Sequence, residues 1–294
     1  METDRRSLFK TLAVAATLTV IPTTAQARER RIAPTDAVGL LYDTTRCIGC
    51  KACVVACKEA NGLTADVDGY GGGLYDAPES LNEYTKTVIQ LYRDDSAGEY
   101  SFVKKQCMHC VDPACVGACM LGALNKGAFG VVGYDSSKCV GCRYCEVACP
   151  FNVPTFQWSK RSSKIVKCEL CRHRLVEGKE PACSEVCPRG AVRFGRYDDL
   201  LADARARLAA EPDRYVQRIY GERELGGTQV LYVSHVPFEN LGFRFDDEQS
   251  VPHTQQTVQH GVYQGFVAPL ALYGILGAVM FRNRRARKTD EETQ

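Results

Sequence analysis

Sixteen cysteines stand in four groups of four along this 294-residue chain, and none is left over. The first group is Cys47, Cys50, Cys53 and Cys57, spaced C-x2-C-x2-C-x3-C. The second is Cys107, Cys110, Cys115 and Cys119, with x4 in place of the second x2. The third is Cys139, Cys142, Cys145 and Cys149, followed by Pro150, and the fourth is Cys168, Cys171, Cys183 and Cys187, followed by Pro188. The first and third spacings are those of a bacterial ferredoxin run. Three close cysteines wrap a tight loop around three irons of one cube. The fourth, displaced by three residues onto the start of a helix, points away and ligates another cube. Gly49 and Gly141 fall inside these loops, where the backbone is expected to pass close to the cube. The prolines after Cys149 and Cys187 fix φ and remove a competing N–H. All sixteen cysteines are thus candidate iron ligands, and four [4Fe–4S] clusters are the expected cofactors.

Two other uses of cysteine fit less well. A disulfide scaffold does not repeat C-x2-C with a trailing x3-C, and a chain this long folds without staples. Structural zinc uses two C-x2-C knuckles across a long spacer, without the third and fourth cysteines. The fourth group alone, with eleven residues between Cys171 and Cys183, has a zinc-like spacing. Beside the other three it reads as a cluster run with an inserted loop. The net charge of +2 gives no reason to expect a nucleic acid partner.

Both ends of the chain read as addresses. Arg5 and Arg6 precede an apolar run from Leu12 to Ile21, and Ala25-Gln26-Ala27 is a small-x-small cleavage site. Residues 1–27 therefore read as a twin-arginine signal peptide, too short in its apolar part to span a bilayer. Val262 to Phe281 is an uncharged stretch of 20 residues, followed at once by Arg282, Arg284, Arg285, Arg287 and Lys288. It is expected to span the membrane, with its basic tail, 282–294, in the cytoplasm and the body outside. Gln264 and Pro269 within it suggest a face packed on another membrane protein.

Between these ends, 28–211 reads as the cluster domain and 212–261 as an extension leading to the membrane. Strands are expected over Glu83 to Arg93, Tyr100 to Lys104, Phe129 to Tyr134, Ala191 to Phe194 and Gly226 to Val233. Gly69 to Gly73 reads as a loop without the frame of a phosphate site. Asp198 is expected to cap a helix to about Ala210, with Leu200, Leu201, Ala204 and Leu208 on its buried face. The fold class is α+β: nested ferredoxin-like modules with small two-stranded sheets, plus the C-terminal transmembrane helix.

The segments "LLYDTTRCIGCKACVVACKEAN", "KKQCMHCVDPACVGAC", "CVGCRYCEVACPFNVP", "KCELC", "CSEVCPRGAV", "GGTQVLYVSHVPFENL" and "QHGVYQGFVAPLAL", with the twin-arginine start, cover nearly the whole chain. Through them the sequence resembles the four-cluster electron-transfer subunits of membrane-bound bacterial oxidoreductases. The closest resemblance is to the ferredoxin-like subunit of the membrane-anchored, type-2 [NiFe] hydrogenase. The β subunit of respiratory formate dehydrogenase is similar in the cysteine groups and the glycine-threonine strand.

Spacing says only that a run's fourth cysteine serves another cube. The resemblance implies which one, in a nested pairing of the first group with the fourth and the second with the third. Cluster one would take Cys47, Cys50, Cys53 and Cys187; cluster two, Cys107, Cys110, Cys115 and Cys149. Cluster three would take Cys139, Cys142, Cys145 and Cys119; cluster four, Cys168, Cys171, Cys183 and Cys57. The family usually has proline after the last cysteine of the second group, where this chain has Met120.

The resemblance implies a subunit without bond chemistry of its own. It would pass electrons from a periplasmic [NiFe] hydrogenase, with its small and large subunits, to an integral membrane subunit that handles quinone. The alternative is the same role beside a formate dehydrogenase or another respiratory oxidoreductase. Other residues near the motifs carry blander expectations. His109 reads as a neighbour of the cluster or a surface residue rather than a ligand, since four cysteines close the cube. His260 reads as interfacial packing rather than a group facing a partner's haem. Lys51, Arg143 and Lys167 read as solvated charges, and Trp158 as core or interface packing.

Overall fold

The computed structural model describes residues 31–64, 78–96, 98–158, 160, 163–243, 248–255 and 267–291. The signal-peptide reading, the Gly69–Gly73 loop and His260 lie outside them. One compact unit holds Arg30–Pro252 and with it every cysteine group.

The centre of that unit is a strand that the sequence reading did not single out, β1 (Val38–Asp43). It is flanked by β8 (Val192–Arg196), antiparallel, and by β9 (Val230–Val233), parallel. A central strand buries both faces, so its residues read as a continuous apolar run instead of an alternation. Leu41 points to one side and meets Leu200, Ala204 and Leu208 of helix α6 (Tyr197–Ala210), together with Leu231 and Val233. Leu40 and Tyr42 point to the other side and join the core that backs the cysteine loops. Each such buried side chain contributes about 2 kcal/mol.

The predicted apolar stripe of α6 is present, except that Leu201 is only partly buried. Its N-cap is Arg196, without a side-chain cap bond, rather than Asp198. Asp198 and Asp199 lie in the first turn, where their charge complements the helix dipole. At the other end, Arg207 donates to the buried Asp43 at 2.7 Å and to Asp203 at 2.8 Å, tying the helix to β1.

The remaining sheets are two-stranded. β2 (Val88–Asp94) pairs with β3 (Glu99–Lys105), so the first predicted strand begins five residues late, and the second is longer by one residue at each end. β4 (Leu124–Lys126) pairs with β5 (Val132–Tyr134), and β6 (Thr155–Phe156) with β7 (Ile165–Val166). The predicted strands that began at Phe129 and Gly226 are shorter than expected. Phe129 and Gly130 belong to a 3-10 turn, Ala128–Gly130, and Gly226 ends another, Glu224–Gly226, before β9 starts at Val230.

Short helices follow the cysteine loops: α1 (Ala52–Ala60), α2 (Ala114–Gly117), α3 (Tyr144–Ala148) and α5 (Ala182–Glu185). The loop expected between Cys171 and Cys183 contains a further helix, α4 (Arg172–Val176). The pairing of these helices decides the rest: α1 packs on α5, and α2 on α3.

The C-terminal helix α7 (Val267–Glu291) differs from the expected span. Residues 262–266 lie outside the described residues, and the helix continues through the basic run to Glu291 rather than ending near Phe281. Among the described residues no helix is long and apolar enough to cross a membrane. Between Leu270 and Phe281 its large apolar side chains are exposed.

Candidate metal centres

Each cysteine loop makes the same local turn. The second residue after the first cysteine has a positive φ in all four: Gly49 (69°), His109 (48°), Gly141 (73°) and Leu170 (51°). That conformation turns the backbone N–H back onto the cysteine sulfur. Gly49 N donates to Cys47 Sγ at 3.5 Å, Gly141 N to Cys139 Sγ at 3.4 Å, and Leu170 N to Cys168 Sγ at 3.4 Å. The His109 N–H does the same for Cys107. Glycine adopts this φ without strain; histidine and leucine do not, and here the surrounding core holds them there.

Protein packing by itself already requires these glycines. A Cβ on Gly49 would stand 2.3 Å from the Phe102 ring, and one on Gly141 3.2 Å from Ser163 O and 3.3 Å from the Phe156 ring. The first and third loops also share a lead-in that the cysteine spacing hides. Tyr42-Asp43 precedes the first as Tyr134-Asp135 precedes the third, five and four residues before the leading cysteine. Each Asp accepts from the residue two further on: Thr45 N at 3.0 Å for Asp43, Ser137 N at 3.0 Å for Asp135. Each Tyr brings its hydroxyl against the leading sulfur, Cys47 or Cys139. These two tyrosines are site residues that ligand spacing alone does not reveal. The repeated Y-D-x3-C segment is the signal that could have found them.

The structure gathers the thiols into four sets. Cys47, Cys50, Cys53 and Cys187 line one recess, beside Pro188. Cys119, Cys139, Cys142 and Cys145 line another. Cys110 interacts with Cys107, Cys115 and Cys149, and Cys57 with Cys168, Cys183 and Cys171. The helix pairs explain this exchange. Cys53 and Cys57 lie one turn apart on α1 and serve different sets, while α5 carries Cys183 and releases Cys187 just beyond its end. In the same way α2 carries Cys115 with Cys119 beyond, and α3 carries Cys145 with Cys149 beyond. Neighbouring sets also feel one another: Cys115 with Cys145, Cys107 with Cys168, and Cys183 with Cys53. The order is therefore a single row. It runs from the Cys139 set through the Cys107 and Cys168 sets to the Cys47 set. The exposed cysteines are Cys50 and Cys142, one in each end set.

The donor chemistry fits an iron–sulfur cube. All sixteen cysteines are free thiols, which removes the disulfide reading. Burial first, and then neighbouring sulfurs, push Cys53 and Cys145 up to about 11, and Cys115 to about 12. Thiolates crowded together away from water need a cationic centre among them. Among the described residues no three His, Cys, Asp or Glu close on a single metal ion. The Cys47 and Cys139 sets each line a recess, as ligands of a cube would. His109 is fully buried, and its Nδ1 accepts from Val132 N at 3.1 Å. Its Nε2 therefore carries the proton and has no hydrogen-bond partner among the described residues. Such an orphan in a cysteine loop suits a bound, sulfur-rich acceptor.

Other expectations need correcting. Lys167 is not a solvated charge: it is 3% exposed, and its amine donates to the carbonyls of Val132 and Cys168. Lys126 donates to Cys110 O, Gly130 O and Gln229 Oε1, all at 2.8 Å. Trp158 is 68% exposed rather than in the core; it packs edge-on against Phe156, with the exposed Arg143 guanidinium 4.5 Å above its ring. Met120 is 79% exposed, and the turn is closed without a proline by the bonds Cys119 N to Val116 O and Gly122 N to Cys119 O. The glycine-threonine segment has a structural task. Val111 N donates to Gly227 O, Gln229 N to His109 O and Val230 N to Met108 O, so it holds the second loop against β1.

Comparison with known proteins agrees with this chemistry. Residues 98–197 match the family described as "4Fe-4S dicluster domain". The chain is 37% identical over 317 residues to the hydrogenase-2 operon protein HybA of Escherichia coli O157:H7, covering 96% of each chain. It is 40% identical over 203 residues to the nitrate-inducible formate dehydrogenase iron-sulfur subunit of Escherichia coli K12, covering 67% of this chain and 68% of that one. With four thiol sets on a shared dicluster framework and a HybA protein matched end to end, the chain belongs to the HybA-like 4Fe–4S ferredoxin subunits, relatives of the formate dehydrogenase iron–sulfur subunits.

Proposed function

We propose that this chain is a non-catalytic subunit that conducts electrons through four [4Fe–4S] clusters. It would link a periplasmic [NiFe] hydrogenase to a membrane subunit that handles quinone. The single observation that carries this reading is the row of four thiol sets with an exposed cysteine in each end set only. Cys47, Cys50, Cys53 and Cys187 would hold the first cluster, and Cys107, Cys110, Cys115 and Cys149 the second. Cys139, Cys142, Cys145 and Cys119 would hold the third, and Cys168, Cys171, Cys183 and Cys57 the fourth. The clusters supply reversible one-electron chemistry. The chain's own residues do the rest. Loop N–H groups hold the sulfurs, apolar side chains keep water from the inner sets, and the end loops offer Cys50 and Cys142 to partners.

The hydrogenase reading is favoured over the formate dehydrogenase reading by the HybA match over 96% of the chain, against 67% and 81% for two formate dehydrogenase iron–sulfur subunits. Iron analysis with EPR of the reduced protein tests the cofactor: about sixteen irons per chain are expected from four cubes. Stoichiometric zinc in a colourless protein would overturn it. The proteins that co-purify in mild detergent test the partner.

The twin arginines and the C-terminal apolar stretch of the sequence support a body on the periplasmic face of the inner membrane, anchored by one span from Val262 with its basic end inside. Arg5→Lys with Arg6→Lys is expected to leave the loaded protein in the cytoplasm, as cell fractionation would show. Normal delivery of that variant would mean that a partner's signal carries the chain.

A further inference from the structure

Among the described residues Lys104 is the most deeply buried cation, 1% exposed near the end of β3. Its backbone is pinned by the Tyr232 hydroxyl, which donates to Lys104 O at 2.8 Å. Among the described residues its amine donates to two neutral acceptors, Thr87 Oγ1 at 2.6 Å and Gln106 Oε1. Neutral oxygens solvate an ammonium but do not cancel its charge, so a buried lysine needs an anion nearby. The charges that act on it most are four thiols of two sets: Cys183, Cys168 and Cys57 of one, and Cys53 of the next. Burial favours loss of its proton, and the same sulfurs, once ionised as cluster ligands, favour the charged amine. Lys104 thus stands at the junction where α1 and α5 exchange their cysteines.

We propose that Lys104 supplies a fixed positive charge shared by the first and fourth clusters, raising the reduction potential of both. A cube held by four thiolates is anionic and gains another negative charge on reduction. A buried cation beside it therefore favours the reduced form, and one placed between two cubes favours both. Lys104 acts through the clusters as a positioning charge and does not ligate iron. The inference rests on the cluster reading proposed above.

The test is an EPR redox titration of the loaded, full-length protein with Lys104→Met, Lys104→Gln and Lys104→Arg, alongside iron analysis. The clusters are assigned by the signals missing in Cys53→Ala and Cys57→Ala. In the neutral variants, reduction of the first and fourth clusters should become about tenfold less favourable, a downward shift of about 59 mV for one electron. The second and third clusters should move less, and Lys104→Arg should stay near the parent. Unmoved potentials at full iron content would overturn the proposal, as would an equal shift of all four. If the neutral variants lose iron from these two clusters and Lys104→Arg retains it, the charge is needed for assembly and the proposal stands. If Lys104→Arg loses it equally, Lys104 is a packing residue. A parent chain without iron would instead refute the cluster reading itself.

Discussion

Cys57→Ala is expected to abolish the cluster held by Cys168, Cys171 and Cys183, and to spare the one held by the run in which Cys57 itself lies. Cys57 sits one turn beyond Cys53 on α1, and its sulfur faces the fourth group. Iron should fall by about four per chain, and one EPR signal should vanish. Cys53→Ala, on the same helix, should remove a different signal, because Cys53 faces Cys47, Cys187 and Cys50. The functional effects should differ too. The Cys57 set is interior to the row, so its loss opens a gap that electrons must cross in either direction. Electron delivery from a donor at one end to an acceptor at the other should collapse, while the remaining clusters still reduce chemically. The same signal missing from both variants would mean that the two cysteines serve one cube.

Gly39→Ala is expected to cost about 3 kcal/mol, the upper end for overpacking. Gly39 lies in β1, between β8 and the segment leading into β9. A Cβ there would stand 2.1 Å from the backbone oxygen of Gln229, which accepts from Leu40 N at 3.0 Å. No rotamer relieves a clash with backbone. Gln229 also donates through Nε2 to Val38 O and Phe129 O and accepts from Lys126, so its displacement loosens the wall of the second cysteine loop. The loss should appear as a much shorter half-life of the visible cluster absorbance on warming. Gly195→Ala is the control. Gly195 faces Gly39 across the sheet, but its added Cβ would meet only the Leu200 side chain at 3.5 Å, an ordinary contact. Equal loss in both variants would place the weakness in sheet propensity rather than in the close approach at Gln229.

Ligand spacing is local, and local features were the legible ones. Four cysteine groups read as four loops because a tight turn, a positive φ and a following short helix all lie within a dozen residues. The α6 stripe was legible for the same reason, since Leu200, Ala204 and Leu208 repeat at helical spacing. β1 was not, because a strand buried on both faces shows no alternation. The charges near the motifs misled in the same way. Lys167 reads as solvated beside a ligand, and only the packing of β5 over its amine shows that it is buried.

The sequence by itself determined the ligand type, the number of ligand sets and the fact that trailing cysteines are exchanged, because these depend on residues within one loop. Only the tertiary structure decided where each trailing sulfur goes in space. That depends on α1 meeting α5 and α2 meeting α3, pairs brought together by β1 lying between β8 and β9. The same packing put the Lys104 amine between two sets and left Cys50 and Cys142 exposed at the ends of the row. Burial and the distance between charges are properties of neighbours far apart along the chain, and no spacing within a motif encodes them.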